Sequence, residues 1–478
     1  MGGEQTVVIG GGPAGLTAAY ELVQRGMCPT VLERDGLVGG LARTECYRGF
    51  HFDIGGHRFY SKIEPVRKLW EHMLGEDFLA VARLSRIHHE GRFFRYPLDS
   101  LDALRKLGLA ESTRVVSSYV RARIQPSPQE DTFETWVANR FGRRLYAMFF
   151  KHYTEKVWGI PCHELSADWA AQRIKGLSLS AALKNALFGT NGVTSLIDEF
   201  RYPRLGPGMM WRRFQEAIDA GGGRVELRAE VVQLHRSAVG IGAVTVRQHG
   251  ECRTLPADSV ISSMPITHLV ERIDEVPSDI RAAAAGLRYR AFVLVGLIVD
   301  RRELFPDNWI YVPSPDIRAG RIQNFKNWSA DMVPDPDRTS VGVEYFCSDG
   351  DDLWTRSDPE LIDLAARELI ELGLARAADI SDGVVFRHAM AYPVYDREYA
   401  ARVRTIRRFL ETIGNLQTIG RNGMHRYNNQ DHSMLTGMLA VRNLCGERHD
   451  LWEVNTDRSY AEEWMVERPA GNGPPGLP

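Results

Sequence analysis

The sequence lacks the cysteine patterns that hold metals or staple small folds. Its six cysteines, Cys28, Cys46, Cys162, Cys252, Cys347 and Cys445, are scattered through 478 residues, with no CxxC pair and no histidine cluster. That dispersal argues against zinc or an iron–sulfur cluster and suits a reducing compartment, so a cytoplasmic protein is expected. Long apolar runs are also missing. Stretches such as "AFVLVGLIV" at 291–299 fall well short of the roughly 20 residues that span a bilayer, so no membrane insertion is expected. Charge of one sign is missing too: 59 basic and 61 acidic residues nearly cancel. No global basic field calls for nucleic acid, although local arginine clusters can still take an anionic metabolite. There is no internal repeat, and nothing fixes an oligomeric state. A strand beginning at Val7 leaves no room for a cleaved signal peptide.

What is present starts at "VVIGGGPAGLTAAYEL", residues 7–22. An apolar run leads into Gly10, Gly12 and Gly15 and then into an Ala-rich helical stretch opened by Pro13 and Ala14. The first glycine permits a tight turn, the second lets backbone approach a pyrophosphate, and the third lets helix pack on strand. Helix N-terminal amides then face the phosphates. Glu33 ends a second apolar stretch, where a carboxylate can accept hydrogen bonds from an adenosine ribose, with Arg34 beside it. Strand, turn, helix, strand and acid in that order predict a dinucleotide site.

NAD and FAD both fit the fingerprint, and the next loops separate them. "ERDGLVGGLARTE" brings Gly39 and Gly40, then Leu41, Ala42 and Arg43. "FDIGGHRFYS" brings Gly55 and Gly56 with His57 behind them. Three glycine-paired loops within sixty residues suit an extended cofactor lying against backbone. The reading is FAD.

Coarse patterns give the organisation. Residues 63–90 mix helical periodicity with short strands, and 101–200 read as mostly helical. Residues 224–264 return to strands, 290–347 are strand-rich, and 359–374 read as an amphipathic helix. "NLQTIG" at 415–420 reads as a last buried strand, followed by the helix-forming "SMLTGMLAVRNL". The predicted fold class is α/β. A discontinuous Rossmann-type FAD domain (1–66, 203–275 and 405–450) carries a helical domain (101–202) and an antiparallel-sheet substrate domain (76–100 and 276–404). The Pro- and Gly-rich tail, 467–478, is expected to be disordered.

Later motifs resemble the flavin-dependent UDP-galactopyranose mutases, the eukaryotic type more than the short bacterial type, over roughly residues 5–445. "FDIGGHRFYS" is similar to that family's histidine loop beside the flavin. "FFKHYTEKVWGIPCHELSADWAAQRI" is similar to its helical substrate segment, ending in Arg173. "NWIYVPS" followed by "GRIQNFKNWS" matches a strand pair carrying Trp309, Tyr311 and a second substrate arginine, Arg321. "GRNGMHRYNNQDHSML" resembles the closing flavin loop. The N-terminal part alone is shared with amine oxidases and protoporphyrinogen oxidases.

The resemblance implies a nucleotide-sugar substrate and a pyranose–furanose interconversion with no net redox change. Reduced FAD would attack the anomeric carbon through N5, expel the nucleotide diphosphate, open the sugar through an iminium and reclose it on another hydroxyl. Reduction would come from NAD(P)H at the same cleft or from another protein. The implied catalytic residues are His57, Arg173 and Arg321; guanidinium forks match phosphate oxygens and stay ionised. His57 is expected to orient the flavin rather than shuttle protons. Tyr96, Trp309, Tyr311, Tyr392 and Tyr427 would line the substrate, and Trp309 and Tyr311, two apart, would share a strand face. Beyond the loops already named, Val232, Gly420, Arg421, Asn429, Gln430 and Ser433 would touch the cofactor.

Two positions depart from the family pattern. Asp99 stands where a glutamine reaches the base, and His425 replaces an aromatic in the closing motif. Both bear on which sugar and base are used and leave the flavin chemistry untouched. The competing expectation is a flavin oxidase of the amine oxidase or protoporphyrinogen oxidase kind, which needs an apolar cage near the flavin and no diphosphate clamp.

Overall fold

The computed structural model describes residues 5–96, 98, 100–167 and 199–455. Arg173, Asp99 and the 467–478 tail lie outside them.

Five parallel strands form one sheet, in the order Leu416–Thr418, Ser259–Ser262, Thr6–Ile9, Thr30–Leu32, Arg224–Glu226. All four pairings are parallel. The chain winds outward from Thr6–Ile9 through its second and third strands, then returns to the other side for the fourth and fifth. That reversal beside Thr6–Ile9 is a topological switch point, and open α/β sheets place ligands in the crevice at the carboxyl ends there. Each of these strands is short and apolar because helices or further sheet cover it. The helix Pro13–Val23 buries seven residues from Ala14 to Leu22. It packs against the helix Gln430–Leu444 so closely that a Cβ on Gly437 would lie 2.4 Å from the Ala14 carbonyl oxygen.

A seven-stranded sheet forms the second layer, in the order Ile380–Pro393, Tyr289–Val299, Thr339–Cys347, Arg321–Asn324, Trp309–Tyr311, Ser85–His89, Arg92–Arg95. Its pairings are antiparallel except between Trp309–Tyr311 and Ser85–His89. The strand Tyr289–Val299, second in that order, reads as a nearly unbroken apolar run because both of its faces are covered. One face meets the helix Asp358–Glu371 in an aliphatic core. The other meets an aromatic core that includes Phe52, Phe94, Trp158, Trp309, Phe325 and Trp328.

A helical segment closes that aromatic core from outside. Phe133–Phe141 starts at Thr132, whose side chain accepts a hydrogen bond from the Thr135 amide, and ends at Gly142 with φ of 83°. The chain then continues as one helix from Arg143 to Trp158, with a π-helical turn over Tyr146–Lys151. Residues 101–167 are mostly helical, as expected, and 168–198 lie outside the described residues. Glu199–Pro203 is a strand, paired antiparallel with Phe78–Ala82. Its alternating Phe200 and Tyr202 are buried against Trp328. A hairpin, Thr44–Tyr47 with Phe50–Asp53, and the 14-residue strand Ile380–Pro393 are elements the sequence patterns did not announce.

Candidate active site

The site has two ends. At the carboxyl edge of the parallel sheet, Gly10 takes φ of 99°, and a Cβ there would sit 2.3 Å from Ser263 Oγ. Gly15 lets the helix Pro13–Val23 lie against the turn, since a Cβ on it would stand 1.9 Å from the Gly10 carbonyl oxygen. Gly12 is different. Nothing approaches its Cβ position more closely than Gly40 Cα at 3.8 Å, so two backbones pass with no side chain between them. The Gly39 amide donates to the Gly11 carbonyl at 2.8 Å, which fixes that pass. The helix start carries no side-chain cap and no acidic residue in its first turn. It offers unneutralised amides and a positive dipole end to an anion.

Glu33 is 7% exposed; its carboxylate accepts from the Gly11 amide at 2.6 Å and the Asp35 amide at 2.8 Å. Burial raises its pKa, and the two amide donors pull back against that. Arg34 is exposed beside it, 3.6 Å from Asp35. Arg43 pairs with Asp35 and Glu45, both at 2.6 Å, tying this loop to the hairpin. Val232 stands at the bulge between Val231 and Gln233 in a separate three-stranded sheet.

At the other end, the hairpin strand Phe50–Asp53 delivers the Gly55–Gly56–His57 loop beneath the seven-stranded sheet. His57 Nε2 is 2.7 Å from the Ile54 carbonyl oxygen. Burial, together with the nearby Arg421 and Arg321 charges, lowers its pKa to about 4, although the Ile54 and Leu41 carbonyls act the other way. The ring is therefore neutral at pH 7.

Arg321 lies over the same loop. Its terminal nitrogens stand 3.6 Å and 3.7 Å from the Cβ positions of Gly55 and Gly56. It faces Glu344 across neighbouring strands, and Nε and Nη2 bond Glu344 Oε2 at 2.7 Å and 2.6 Å. Glu344 is 0% exposed, and its other oxygen accepts from Gln323. Burial is the largest single influence and acts against the Arg321 charge, but Glu344 together with Tyr153, Tyr392 and Tyr311 holds the guanidinium above its ordinary value.

Tyrosines surround this pair. Tyr153, Tyr311 and Tyr392 all interact with Arg321. Tyr311 packs against Tyr96 (ring centroids 4.4 Å apart) and edge-on against Tyr153 (5.3 Å), and Tyr392 stacks on Tyr427 at 5.8 Å and 15°. Arg421 covers Tyr427 at 4.6 Å and donates to the Asn428 carbonyl at 2.9 Å. Trp309 shares the face of Tyr311 and stacks on Trp328 at 5.3 Å.

Most of the predicted residues fall at one end or the other, whereas Val232 and the exposed Arg34 stand apart from both. His57, Arg321, Tyr96, Trp309, Tyr311, Tyr392, Tyr427 and Arg421 come together in one cleft, drawn from five stretches of chain. Gly10, Gly12, Pro13, Ala14, Gly15, Glu33 and Gly40 gather at the glycine turn, and the turn Gly40–Ala42 runs on from it to Leu41, which packs on the aromatic core with its carbonyl at His57. Gly420 and Ser433 join the two ends, since a Cβ on Gly420 would come 3.0 Å from that of Ala14 and Ser433 is buried in the first turn of Gln430–Leu444. Sequence reasoning missed Glu344, Tyr153 and Gln323. A polar residue inside the apolar run "SVGVEYFC" was the available signal for Glu344.

These residues fit a flavin dinucleotide. The Gly12–Gly40 pass is a cradle that a side chain would fill. Asn429 begins the helix Gln430–Leu444 without capping it through its side chain. Gln430 Oε1 is buried with no hydrogen-bond partner among the described residues, an acceptor awaiting a donor. No group of three or more metal-ligating side chains occurs among the described residues. None of the described helices is long and apolar enough to cross a membrane.

A dinucleotide crevice opening onto an arginine–tyrosine cleft is the plan of a flavoenzyme. Residues 13–405 match the flavin-containing amine oxidoreductase family, and this chain belongs to it. In sequence it is similar to coproporphyrinogen III oxidase of Mycobacterium leprae (strain TN), 28% identical over 424 residues covering 84% of this chain and 90% of that protein. In fold it is similar to reduced UDP-galactopyranose mutase, with a TM-score of 0.84 at 21% identity, covering 95% of this chain and 98% of that one. It is also similar to a putative protoporphyrinogen oxidase from Exiguobacterium sp. 255-15, with a TM-score of 0.70 at 17% identity, covering 93% and 100%.

Proposed function

We propose that this chain is a nucleotide-sugar mutase that interconverts pyranose and furanose forms with reduced FAD. The observation that carries the reading is Arg321, half-buried over the Gly55–Gly56 loop, pinned by Glu344 and ringed by tyrosines. Reduced flavin, when bound, supplies the nucleophile.

The chain's own residues do the rest. Glu344 occupies the Nε–Nη2 edge of Arg321, which leaves Nη1 and the second Nη2 hydrogen to a diphosphate. Because Glu344 fixes that fork beforehand, the donors need no reorganisation as charge grows on the leaving group. One arginine already balanced by a carboxylate is too little charge for a diphosphate. Arg173, from the sequence motif, and Arg421 supply the remainder in this reading. Tyr392 and Tyr427 add neutral donors. His57, held neutral, orients the glycine loop and adds no charge. NAD(P)H at the same cleft, or another protein, is the reductant.

A second reading rests on the sequence likeness to coproporphyrinogen III oxidase. Porphyrinogens carry carboxylates, so arginine alone does not separate the two, and the direct test is to offer both substrates. Oxidised holoenzyme is mixed anaerobically with coproporphyrinogen, and dithionite-reduced holoenzyme with UDP-galactopyranose and a panel of other nucleotide sugars. Isomerised sugar nucleotide without flavin reduction by the porphyrinogen supports the mutase. The reverse pattern replaces it with the oxidase.

A further inference from the structure

The loop 312–320 joins the strand bearing Trp309 and Tyr311 to the strand that starts at Arg321, and two opposite charges, the half-buried Lys156 and the buried Glu368, grip it. From the helical side, Lys156 Nζ donates to the carbonyl oxygens of Val312 at 2.9 Å, Ser314 at 2.6 Å and Ala319 at 3.1 Å. From the sheet side, Glu368 on the helix Asp358–Glu371 accepts from the amides of Arg318 and Ala319, and from Tyr345 Oη at 2.9 Å. Carbonyls go to the cation and amides to the anion. Lys156 makes no ion pair among the described residues; all three of its donors are spent on backbone.

We propose that Lys156 is a positioning residue that holds Arg321 and Tyr311 in register for the diphosphate of the substrate by clamping the 312–320 loop to the opposite wall of the cleft. The inference rests on the nucleotide-sugar reading. Lys156 lies on the helix His152–Trp158, which also carries Tyr153 and Trp158. That helix ends against the sheet, where Arg290 donates to the Lys156 and Val157 carbonyls, both at 3.1 Å. One ammonium therefore connects the wall bearing Tyr153 and Trp158 to the loop that runs straight into Arg321. Around the loop, Val312 N bonds the Gly320 carbonyl and Gly320 N bonds the Glu344 carbonyl, both at 2.9 Å. Slack in the loop passes directly to the Arg321–Glu344 pair, and a small misplacement of a substrate-orienting group is costly.

Burial lowers the Lys156 pKa to about 8, with Glu368 and Asp316 acting to raise it and Arg318 to lower it. A neutral amine has one hydrogen too few for three carbonyls, so the clamp weakens above that pH.

The chain contains its own control. Lys326 is held in the same manner, by the Arg302, Pro336 and Arg338 carbonyls at 2.8, 2.5 and 3.0 Å, on loops that carry none of the cleft residues.

The test uses flavin-loaded wild type, Lys156→Met, Lys156→Arg and Lys326→Met. UDP affinity is measured by titration across pH 6–9.5, with hydrogen exchange of the 312–321 amides measured alongside. Lys156→Met is expected to weaken UDP at least about tenfold at pH 7 with flavin content retained. Wild type is expected to lose affinity through an inflection near pH 8. Lys156→Arg, charged throughout, should lack that inflection, and Lys326→Met should behave as wild type. Unchanged UDP affinity and an unchanged pH profile in Lys156→Met overturn the proposal. Should Lys156→Met fail to fold, Lys156→Gln, which keeps two donors, is expected to show a smaller loss of the same kind, and no loss overturns the proposal. If wild type binds no nucleotide diphosphate, the nucleotide-sugar reading falls. Faster exchange at 312–321 in Lys156→Met then still supports the clamp, and unchanged exchange removes it.

Discussion

The glycine crevice and the arginine–tyrosine cleft are made of opposite materials. At Gly10, Gly12, Gly15 and Gly40 the crevice presents backbone, kept bare by the absence of side chains. Around Arg321 the cleft presents long side chains, each held by another: Arg321 by Glu344, Tyr392 by Tyr427, Tyr427 by Arg421. A backbone site fixes what every member of a flavin family shares. A side-chain site is where one member differs from the next, because a fork or a hydroxyl can be moved or replaced without disturbing the sheet. Chains similar in fold differ in what they are named for, a UDP-galactopyranose mutase and a putative protoporphyrinogen oxidase.

The division is easiest to break at the crevice. Gly15→Ala puts a methyl into the Gly10 carbonyl. It is expected to cost at least about 3 kcal/mol and most of the bound flavin, read by flavin absorbance per chain and by the thermal midpoint. Loss of activity with full flavin content would contradict the backbone account. Arg321→Ala should show the opposite pattern. Flavin stays, turnover falls about 100- to 1000-fold, and stability drops by about 3 kcal/mol because Glu344 is left buried and unpaired. Adding Glu344→Gln should restore the stability and leave the turnover low.

Smaller effects sharpen the picture. His425 is 0% exposed in the closing loop, accepts a left-handed φ of 47°, and contacts the Val394 carbonyl at 3.3 Å and Tyr289 edge-on. Burial depresses its pKa from 6.5 to about 4. The unfolded chain therefore takes up a proton first, and the contribution of this group to stability is complete above pH 6.5 and lost as pH falls from 6.5 to 4. Urea titrations of wild type and His425→Asn, an exchange suited to that φ, should differ in acid slope by about 3 kcal/mol over that range. Parallel slopes would show that His425 titrates as it does in the unfolded chain. Least of all, Tyr427→Phe removes one hydroxyl from a stacked pair. It should slow turnover about tenfold with flavin content intact; an unchanged rate would confine Tyr427 to packing.

The same contrast explains what the sequence could reveal. Glycine spacing advertises a backbone site directly, since Gly10 and Gly15 are at positions where no other residue fits. The order of strands from Val7 to Thr418 was legible for the same reason: short apolar runs bounded by turn residues. The cleft was legible only through motif resemblance, because Arg321 and Tyr392 are brought together by pairing across the large sheet. Glu344 sits in an apolar strand and gives no sign in isolation that its partner lies 23 residues earlier. The strand Ile380–Pro393 was missed because "ISDGVVFRHAMAYP" neither alternates nor runs apolar; half-burial along a sheet edge relaxes both patterns. The strand Glu199–Pro203, too short to interrupt a helical reading, owes its form to pairing with Phe78–Ala82.

The most direct measurement is isomerisation of UDP-galactopyranose by the flavin-loaded protein before and after anaerobic reduction, with the isomers separated chromatographically and Arg321→Ala run beside wild type. The account predicts a furanose product from the reduced wild type, lost on reoxidation and nearly absent in Arg321→Ala. An inert reduced enzyme against every nucleotide sugar in the panel, with the oxidised flavin bleached by a porphyrinogen or an amine, would contradict it.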